Sequence, residues 1–349
     1  MNYLLKRLAY GIVVLFGVVM IIFALFNALP DPARLTQGQR TDPESIELVR
    51  KELGLDKAWH EKLKMYLNDL SFVSLHNDTE ENLIKYDYNK ILTVGNTAIV
   101  FKLPYLRRSY QSKRKVMEII LDALPKTILL ALTSILIATV LGILLGIVSA
   151  VYKDTFWDKL AIFLSTGGFS TPSYVAAIVI AYVFGYLLSD YTGLNMRGNM
   201  YEITLNGKEL MLKNLILPAI TLGIRPVCII MLLTRSSILD VLSQDYIRTA
   251  VAKGLNKRTV LFKHTLRNAL NPVLTATTGW FASLLAGSFF VEIIFDWKGL
   301  GYYTVKGIEN LDFPVVMGSI LFIATAFVII NILVDLLYKV LDPRVTLDN

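Results

Sequence analysis

The chain has 349 residues, 54% of them hydrophobic and only 18% charged, with a mean hydropathy of +0.52. Soluble domains carry about 25% charged residues; the shortfall here is gathered into long uncharged runs, which excludes an ordinary soluble globule and points to a membrane protein. The net charge of +7 is read as loop bias beside a membrane rather than nucleic acid binding, and one cysteine (Cys228) with three scattered histidines (His60, His76, His264) leaves no disulfide framework and no metal site.

Six segments are long enough to cross a hydrocarbon core, which takes roughly 20 apolar residues. They are Ala9 to Leu29, Thr127 to Tyr152, Leu160 to Leu188 (interrupted at Pro172), Asn214 to Leu233, Pro272 to Val291 and Phe313 to Val334. Lys6 and Arg7 would suit the n-region of a signal peptide. The apolar run after them exceeds the usual h-region of about 7–15 residues, and no small-x-small cleavage site follows, so it reads as a retained first helix.

Lysine and arginine bias sets orientation. Lys6 and Arg7 place the N-terminus in the cytoplasm, and six crossings return the C-terminus there with Lys339 and Arg344. Lys153 and Lys159 mark a second cytoplasmic turn. Residues 30–118 then lie outside. Their basic residues Lys102, Arg107, Arg108, Lys113, Arg114 and Lys115 are tolerated because long loops translocate largely regardless of charge.

That external segment is more than linker. Asp42-Pro43-Glu44 reads as a helix start and Gly54 as its end. Trp59 to Leu70 carries helical apolar spacing at Trp59, Leu63, Tyr66, Leu67 and Leu70. Ser71 to Lys85 reads as polar and mobile. Ile91–Val94, the turn Gly95-Asn96 and Thr97–Phe101 form the pattern of a β-hairpin. The segment is either a structural cap or a contact for substrate or receptor.

Residues 237–270 are the longest internal loop. Asp245 to Lys253 suits a short amphipathic helix with Ile247, Ala250 and Val251 on its apolar side. Gly254 fits a helix C′ position, where φ is positive. Asn256 is a good N-cap for a second helix through Leu270, ended by Asn271-Pro272. Such a helix–Gly–helix unit, anchored at both ends, could lie on lipid headgroups or dock a cytoplasmic protein and pass its motion to both neighbouring spans. DNA reading is disfavoured, since the tethers would hold the unit against the bilayer.

Asp245-Tyr246-Ile247-Arg248-Thr249-Ala250-Val251-Ala252-Lys253-Gly254-Leu255 resembles the coupling loop of importer permeases in the ATP-binding-cassette family, and the match sharpens to the dipeptide, oligopeptide and nickel group. Thr234-Arg235-Ser236-Ser237, His264-Thr265-Leu266-Arg267-Asn268-Ala269-Leu270, Glu292-Ile293-Ile294-Phe295 with Gly299-Leu300-Gly301, and Asp335-Leu336-Leu337-Tyr338 with Leu341-Asp342-Pro343-Arg344 are also similar to that group. So is Glu52-Leu53-Gly54-Leu55-Asp56-Lys57. Three departures stand out: Arg248-Thr249-Ala250 where the general motif has Glu-Ala-Ala, Lys298 where proline is usual, and an insertion between Asp69 and Tyr105.

The resemblance implies an all-α membrane protein of the type I importer permease fold with six transmembrane helices and an extracytoplasmic insertion between the first two. Its parts are residues 1–29, an external segment 30–118 and a permease core 119–349. It implies a permease subunit of the bacterial inner membrane working by alternating access, with Asp245, Tyr246, Arg248, Thr249, Ala250, Lys253, Gly254 and Leu255 coupling it to ATPase. The implied partners are a second homologous permease subunit, two cytoplasmic ATPase subunits, an extracytoplasmic substrate-binding protein and membrane lipid. The cargo is a di- or oligopeptide, with nickel or another small solute as the alternative; a self-contained channel or scaffold is the rival from outside the family.

The chain contains no G-x-x-x-x-G-K-[ST] phosphate loop and no catalytic constellation, so it is not an enzyme by itself and needs no cofactor. Arg225 is the one charge inside a span, about 18 Å along the helix from Lys213 at about 1.5 Å per residue. It must face protein or water. It either lines the translocation path, meeting a substrate carboxylate, or is buried in a structural pair.

Overall fold

A computed structural model describes residues 2–28, 47, 50, 56–204 and 207–341. Apart from Glu47 and Arg50, the expected external helix from Asp42 to Gly54 lies outside the described residues, as does the part of the chain-end motif beyond Leu341. All six expected crossings fall on helices. Leu5–Asn27, Val116–Val151, Leu212–Leu242 and Phe313–Leu336 are each long and apolar enough to span a membrane. The third expected crossing falls on a pair, Phe156–Ser170 and Ser173–Leu187, bent by 108°, the geometry of a broken span or a re-entrant loop. The break is at Pro172, which has no N–H to continue the first helix. The fifth lies on helix Leu266–Gly287, where Asn268, Asn271, Thr275, Thr277 and Thr278 dilute the apolar run. Four described helices therefore meet the length and hydropathy of a span, or five with the bent pair taken as one.

The chain divides into two compact units. The first contains Ala123–Tyr302 with Met1–Leu8 and Thr325–Asn349. Its centre is helix Ile216–Leu242, packed against Phe156–Ser170, Ser173–Tyr182 and Leu266–Gly287. Glycines let helix Val116–Val151 approach it closely: a Cβ on Gly142 would sit 2.6 Å from the Ile230 side chain, and one on Gly146 would sit 2.8 Å from the Met231 carbonyl. Small residues at such crossings are the usual means of packing helices where lipid supplies no hydrophobic drive. Leu130, Ala138, Ala181, Leu222, Ile230, Val273 and Trp297 are buried in its core. A two-stranded hairpin, Tyr201–Thr204 with Gly207–Leu210, precedes the fourth crossing.

The second unit contains Ala9–Asp122 and Tyr303–Ala324. Helix Trp59–Leu70 forms as its spacing predicts, but only Tyr66 of its apolar residues is fully buried. Tyr66 stacks on Phe23 (centroids 6.0 Å apart) beside Val19, Ile22 and Ile320. The hairpin is present as Asn89–Val94 and Thr97–Phe101, with Gly95 at φ +61 in its turn. Ser71 to Lys85 departs from expectation. Val73–Asn77 pairs antiparallel with Thr97–Phe101, which becomes the middle strand of three, and Glu80–Tyr86 is a helix capped by Thr79. The polar run hid an alternation in which Ser74 and His76 point inward and Val73 and Leu75 outward. These sheets are additions to an otherwise helical fold.

Candidate functional site

The eight residues expected to couple the chain to ATPase lie together on one helix and the turn after it. Helix Asp245–Ala252 buries Ile247 and Ala250 against Val260, Val241 and Leu242. Val251, expected on the same apolar side, is 58% exposed. It lies one residue after Ala250, about 100° further round the helix, so it joins Tyr246, Arg248, Thr249 and Lys253 on the solvent side. Arg248 pairs with Asp245 at 3.5 Å, both well exposed, so the pair contributes little to stability. The exposed face therefore mixes apolar Tyr246, Val251 and Leu255 with basic Arg248, Lys253, Lys257 and Arg258.

Gly254 has φ +80, and a Cβ there would meet nothing within 4 Å. The requirement for glycine is purely one of backbone conformation. The Leu255 N–H donates to the Ala250 carbonyl (3.3 Å) and the Gly254 N–H to that of Val251 (2.9 Å), closing the helix end. The Asn256 side chain then accepts the Thr259 N–H at 2.8 Å, as an N-cap does. A short helical turn, a wider turn over Val260–Thr265 and helix Leu266–Gly287 follow. Tyr246 accepts a hydrogen bond from Asn268 Nδ2 at 3.0 Å, which ties the two arms of the loop.

Asn271-Pro272 does not end the second arm, contrary to expectation. Helix Leu266–Gly287 continues through Pro272. An interior proline costs about 3 kcal/mol, and the helix offsets it by packing along Ile216–Leu242.

Arg225 is not part of this group. It stands on helix Ile216–Leu242, about 26 Å of helix before Leu242 at about 1.5 Å per residue. Its guanidinium is exposed, lies 5.5 Å over the Phe169 ring and donates from Nε to the Phe169 carbonyl at 3.4 Å. That carbonyl belongs to the last turn before the break at Pro172. Arg225 is thus held lightly beside a broken helix, with most of its hydrogen-bonding capacity unspent on the contacts described.

Two further clusters escaped the sequence reading. Asp158, at the start of helix Phe156–Ser170, is buried and takes a bidentate hydrogen bond from Arg235 (2.7 and 2.8 Å). Glu292 is wholly buried and accepts from Ser288 (2.7 Å), Thr127 (2.9 Å) and the Tyr302 N–H (2.9 Å). Thr127 Oγ1 in turn accepts the Leu300 N–H at 2.8 Å, so its only proton is the one given to Glu292. A Cβ on Gly299 would lie 2.6 Å from Glu292 Oε2, and one on Gly301 would lie 3.1 Å away. The Gly-Leu-Gly run is therefore the price of wrapping a chain segment around a buried carboxylate. The signals in sequence were Arg235 near a span end and an acidic residue at the edge of an apolar run, followed within ten residues by two glycines.

Comparison with known proteins bears on this geometry. Residues 142–347 match the family model described as "Binding-protein-dependent transport system inner membrane component", and residues 1–131 match its N-terminal companion. A dipeptide transport system permease protein of Alkalihalophilus pseudofirmus is 33% identical over 359 residues, covering 98% of both chains. A glutathione transport system permease protein of Escherichia coli strain K12 is 33% identical over 346 residues, with 99% of each chain covered. A putative peptide transport system permease protein of Brucella abortus is 36% identical over the same length and coverage.

Proposed function

Because this chain belongs to the inner membrane components of binding-protein-dependent transport systems, and so is a multi-pass permease of an ATP-binding-cassette importer rather than an enzyme, we propose that it imports peptides. The observation that carries the substrate class is identity of 33–36%, over 98–99% of the chain, to relatives named for dipeptide, glutathione and peptide transport. Glutathione is itself a tripeptide, so all three names share an amide-linked backbone and a free carboxylate.

In this reading the working complex holds the chain, a second homologous permease, two cytoplasmic ATPase subunits and an external substrate-binding protein. Both termini and the loop 237–270 face the cytoplasm, residues 30–118 face outward, and residues 119–349 are the permease core. The mixed apolar and basic face from Tyr246 to Leu255 docks on an ATPase. Closure of the ATPases on ATP pushes that face, and the spans attached to it tilt between outward-open and inward-open states. Arg225, beside the broken helix, meets the passing substrate's carboxylate. Its hold must be weak for the substrate to leave.

The complex reconstituted in proteoliposomes with its binding protein tests this. ATP-driven uptake of a labelled dipeptide or glutathione is expected, and ATP-driven uptake of nickel without peptide would replace the substrate class. A cysteine at Asn77, in a Cys228→Ser background, should react with an impermeant thiol reagent on intact cells; labelling only after lysis reverses the topology.

A further inference from the structure

The helix that feeds the coupling loop, Ile216–Leu242, carries Arg235 ten residues before Asp245. Arg235 Nε and Nη2 donate to the two oxygens of Asp158 at 2.7 and 2.8 Å. The remaining lone pairs of that carboxylate are also used. Ser149 Oγ donates to Oδ1 at 2.5 Å, and the Asp154 N–H donates to Oδ2 at 2.9 Å. Asp154 itself holds φ +64, so the turn between two helices is bent to aim that N–H inward. The Asp158 side chain is 2% exposed and that of Arg235 19%.

Four chain positions thus converge on one carboxylate: the end of helix Val116–Val151, the turn after it, the start of Phe156–Ser170 and the helix leading to the coupling loop. The apolar contacts nearby repeat the connection, with Ala150 packed against Ile238 and Ala269. An exposed ion pair would hold little. A bidentate, desolvated pair with every oxygen engaged is strong and directional.

We infer that Arg235 and Asp158 are positioning residues for energy coupling. They make the turn at Tyr152–Asp158 and the coupling arm one rigid body, so that a push on Asp245–Leu255 reaches the second and third crossings as well as the fourth and fifth. The inference rests on the reading of Asp245–Leu255 as the ATPase dock.

The test uses the assembled complex with spin labels on cysteines at Lys153 and Ser243 in the Cys228→Ser chain. In the otherwise native protein the label distance should be narrow and indifferent to ATP. In Arg235→Met it should broaden and change with ATP, while peptide uptake per ATP hydrolysed falls about tenfold, within the range by which residues along a coupling route act. Arg235→Lys keeps the charge but loses the fork, and Ser149→Ala removes one donor; each should give a smaller loss of the same kind. These two milder variants decide the matter if Arg235→Met fails to assemble. A charge reversal, Asp158→Arg with Arg235→Asp, should not rescue, because Ser149 and the Asp154 N–H would face a donor. A narrow, ATP-indifferent distance and an unchanged uptake-to-hydrolysis ratio in the variants recovered would overturn the inference. If instead the ATPase subunits do not co-purify with the native chain, it is the docking reading that fails.

Discussion

Asp158 and Glu292 are both carboxylates buried in the same unit, and the chain satisfies them in opposite ways. Asp158 takes a guanidinium fork plus two neutral donors. The donors described at Glu292 are neutral, two hydroxyls and a backbone N–H. The first arrangement joins separate helices by an ion pair, and its strength depends on both charges staying desolvated together. The second spends hydroxyls and glycines to fold one loop tightly around a point, with Trp297 Nε1 adding a bond to the Lys126 carbonyl at 3.0 Å. The charged tie fixes separate helices to one another; the neutral cage fixes the shape of one segment.

The difference predicts how each fails. Arg235→Met leaves Asp158 buried with its main partner gone, which should cost about 3 kcal/mol, the low end for broken buried pairs because Arg235 keeps some exposure. Removing both charges, Arg235→Met with Asp158→Leu, should recover only part of that stability, because the Ser149 hydroxyl and the Asp154 N–H lose their acceptor, and should leave coupling impaired. Thermal unfolding of the purified complex measures the first, and uptake per ATP the second. If the double variant is no more stable than the single, the cluster is not an ion pair in energetic terms.

At the neutral cage the expected losses are smaller. Thr127→Val deprives Glu292 of one donor and the Leu300 N–H of its acceptor, at about 1–3 kcal/mol. Gly299→Ala drives a methyl against the same carboxylate, at about 1–3 kcal/mol from overpacking. The two changes strike one small volume, so their effects should fall short of additivity by at least about 0.5 kcal/mol. Gly254→Ala provides the contrast. Its Cβ meets open space, so only the φ of +80 is penalised, at about 1 kcal/mol. It should lower unfolding stability by no more than that, the smallest of these losses, and weaken ATPase co-purification as well.

The glycines also show what the sequence could disclose. Gly254 was readable because its signal is local: an amphipathic stretch, a glycine and an N-cap asparagine in order. Most of the expected spans were readable because length and apolarity suffice, but the fifth, on Leu266–Gly287, falls short of a span by that measure. Asp158 with Arg235 was not, since 77 residues separate them and no spacing rule links a turn to a distant helix. Thr127 with Glu292 is hidden in the same way across 165 residues. Local rules also erred where packing outweighed them, at Pro272 inside its helix and at Ser71 to Lys85. There a strand formed because Thr97–Phe101 offered a partner. For Val251, the apolar label was right but the face was wrong.

The second unit offers a third way to bury an ionisable group, which is to keep it neutral. His76 is inward-facing, 4.1 Å from the Tyr86 ring centroid and 6.0 Å from that of Tyr88, with Nε2 3.1 Å from Ser74 Oγ. Burial, with Lys102 and Lys85 nearby, pushes its pKa down from 6.5 to about 4. The unfolded chain therefore binds a proton that the folded sheet refuses. The stability this group contributes is whole above pH 6.5 and is lost as pH falls from 6.5 towards 4. Asp69, also buried here, has its pKa raised by burial and so contributes with the opposite sign on acidification. The difference between native protein and His76→Phe isolates the histidine. Amide exchange over Val73–Asn77, compared at pH 7 and pH 4.5 after correction for intrinsic rates, should show the sheet opening more readily at the lower pH. His76→Phe keeps an aromatic ring beside Tyr86 but leaves the buried Ser74 hydroxyl short of a partner, which costs about 1 kcal/mol at either pH. Its exchange should therefore be somewhat faster throughout and less sensitive to pH. Equal pH dependence in the two proteins would mean that His76 accepts a proton within the folded sheet, and the neutral-burial account would fail.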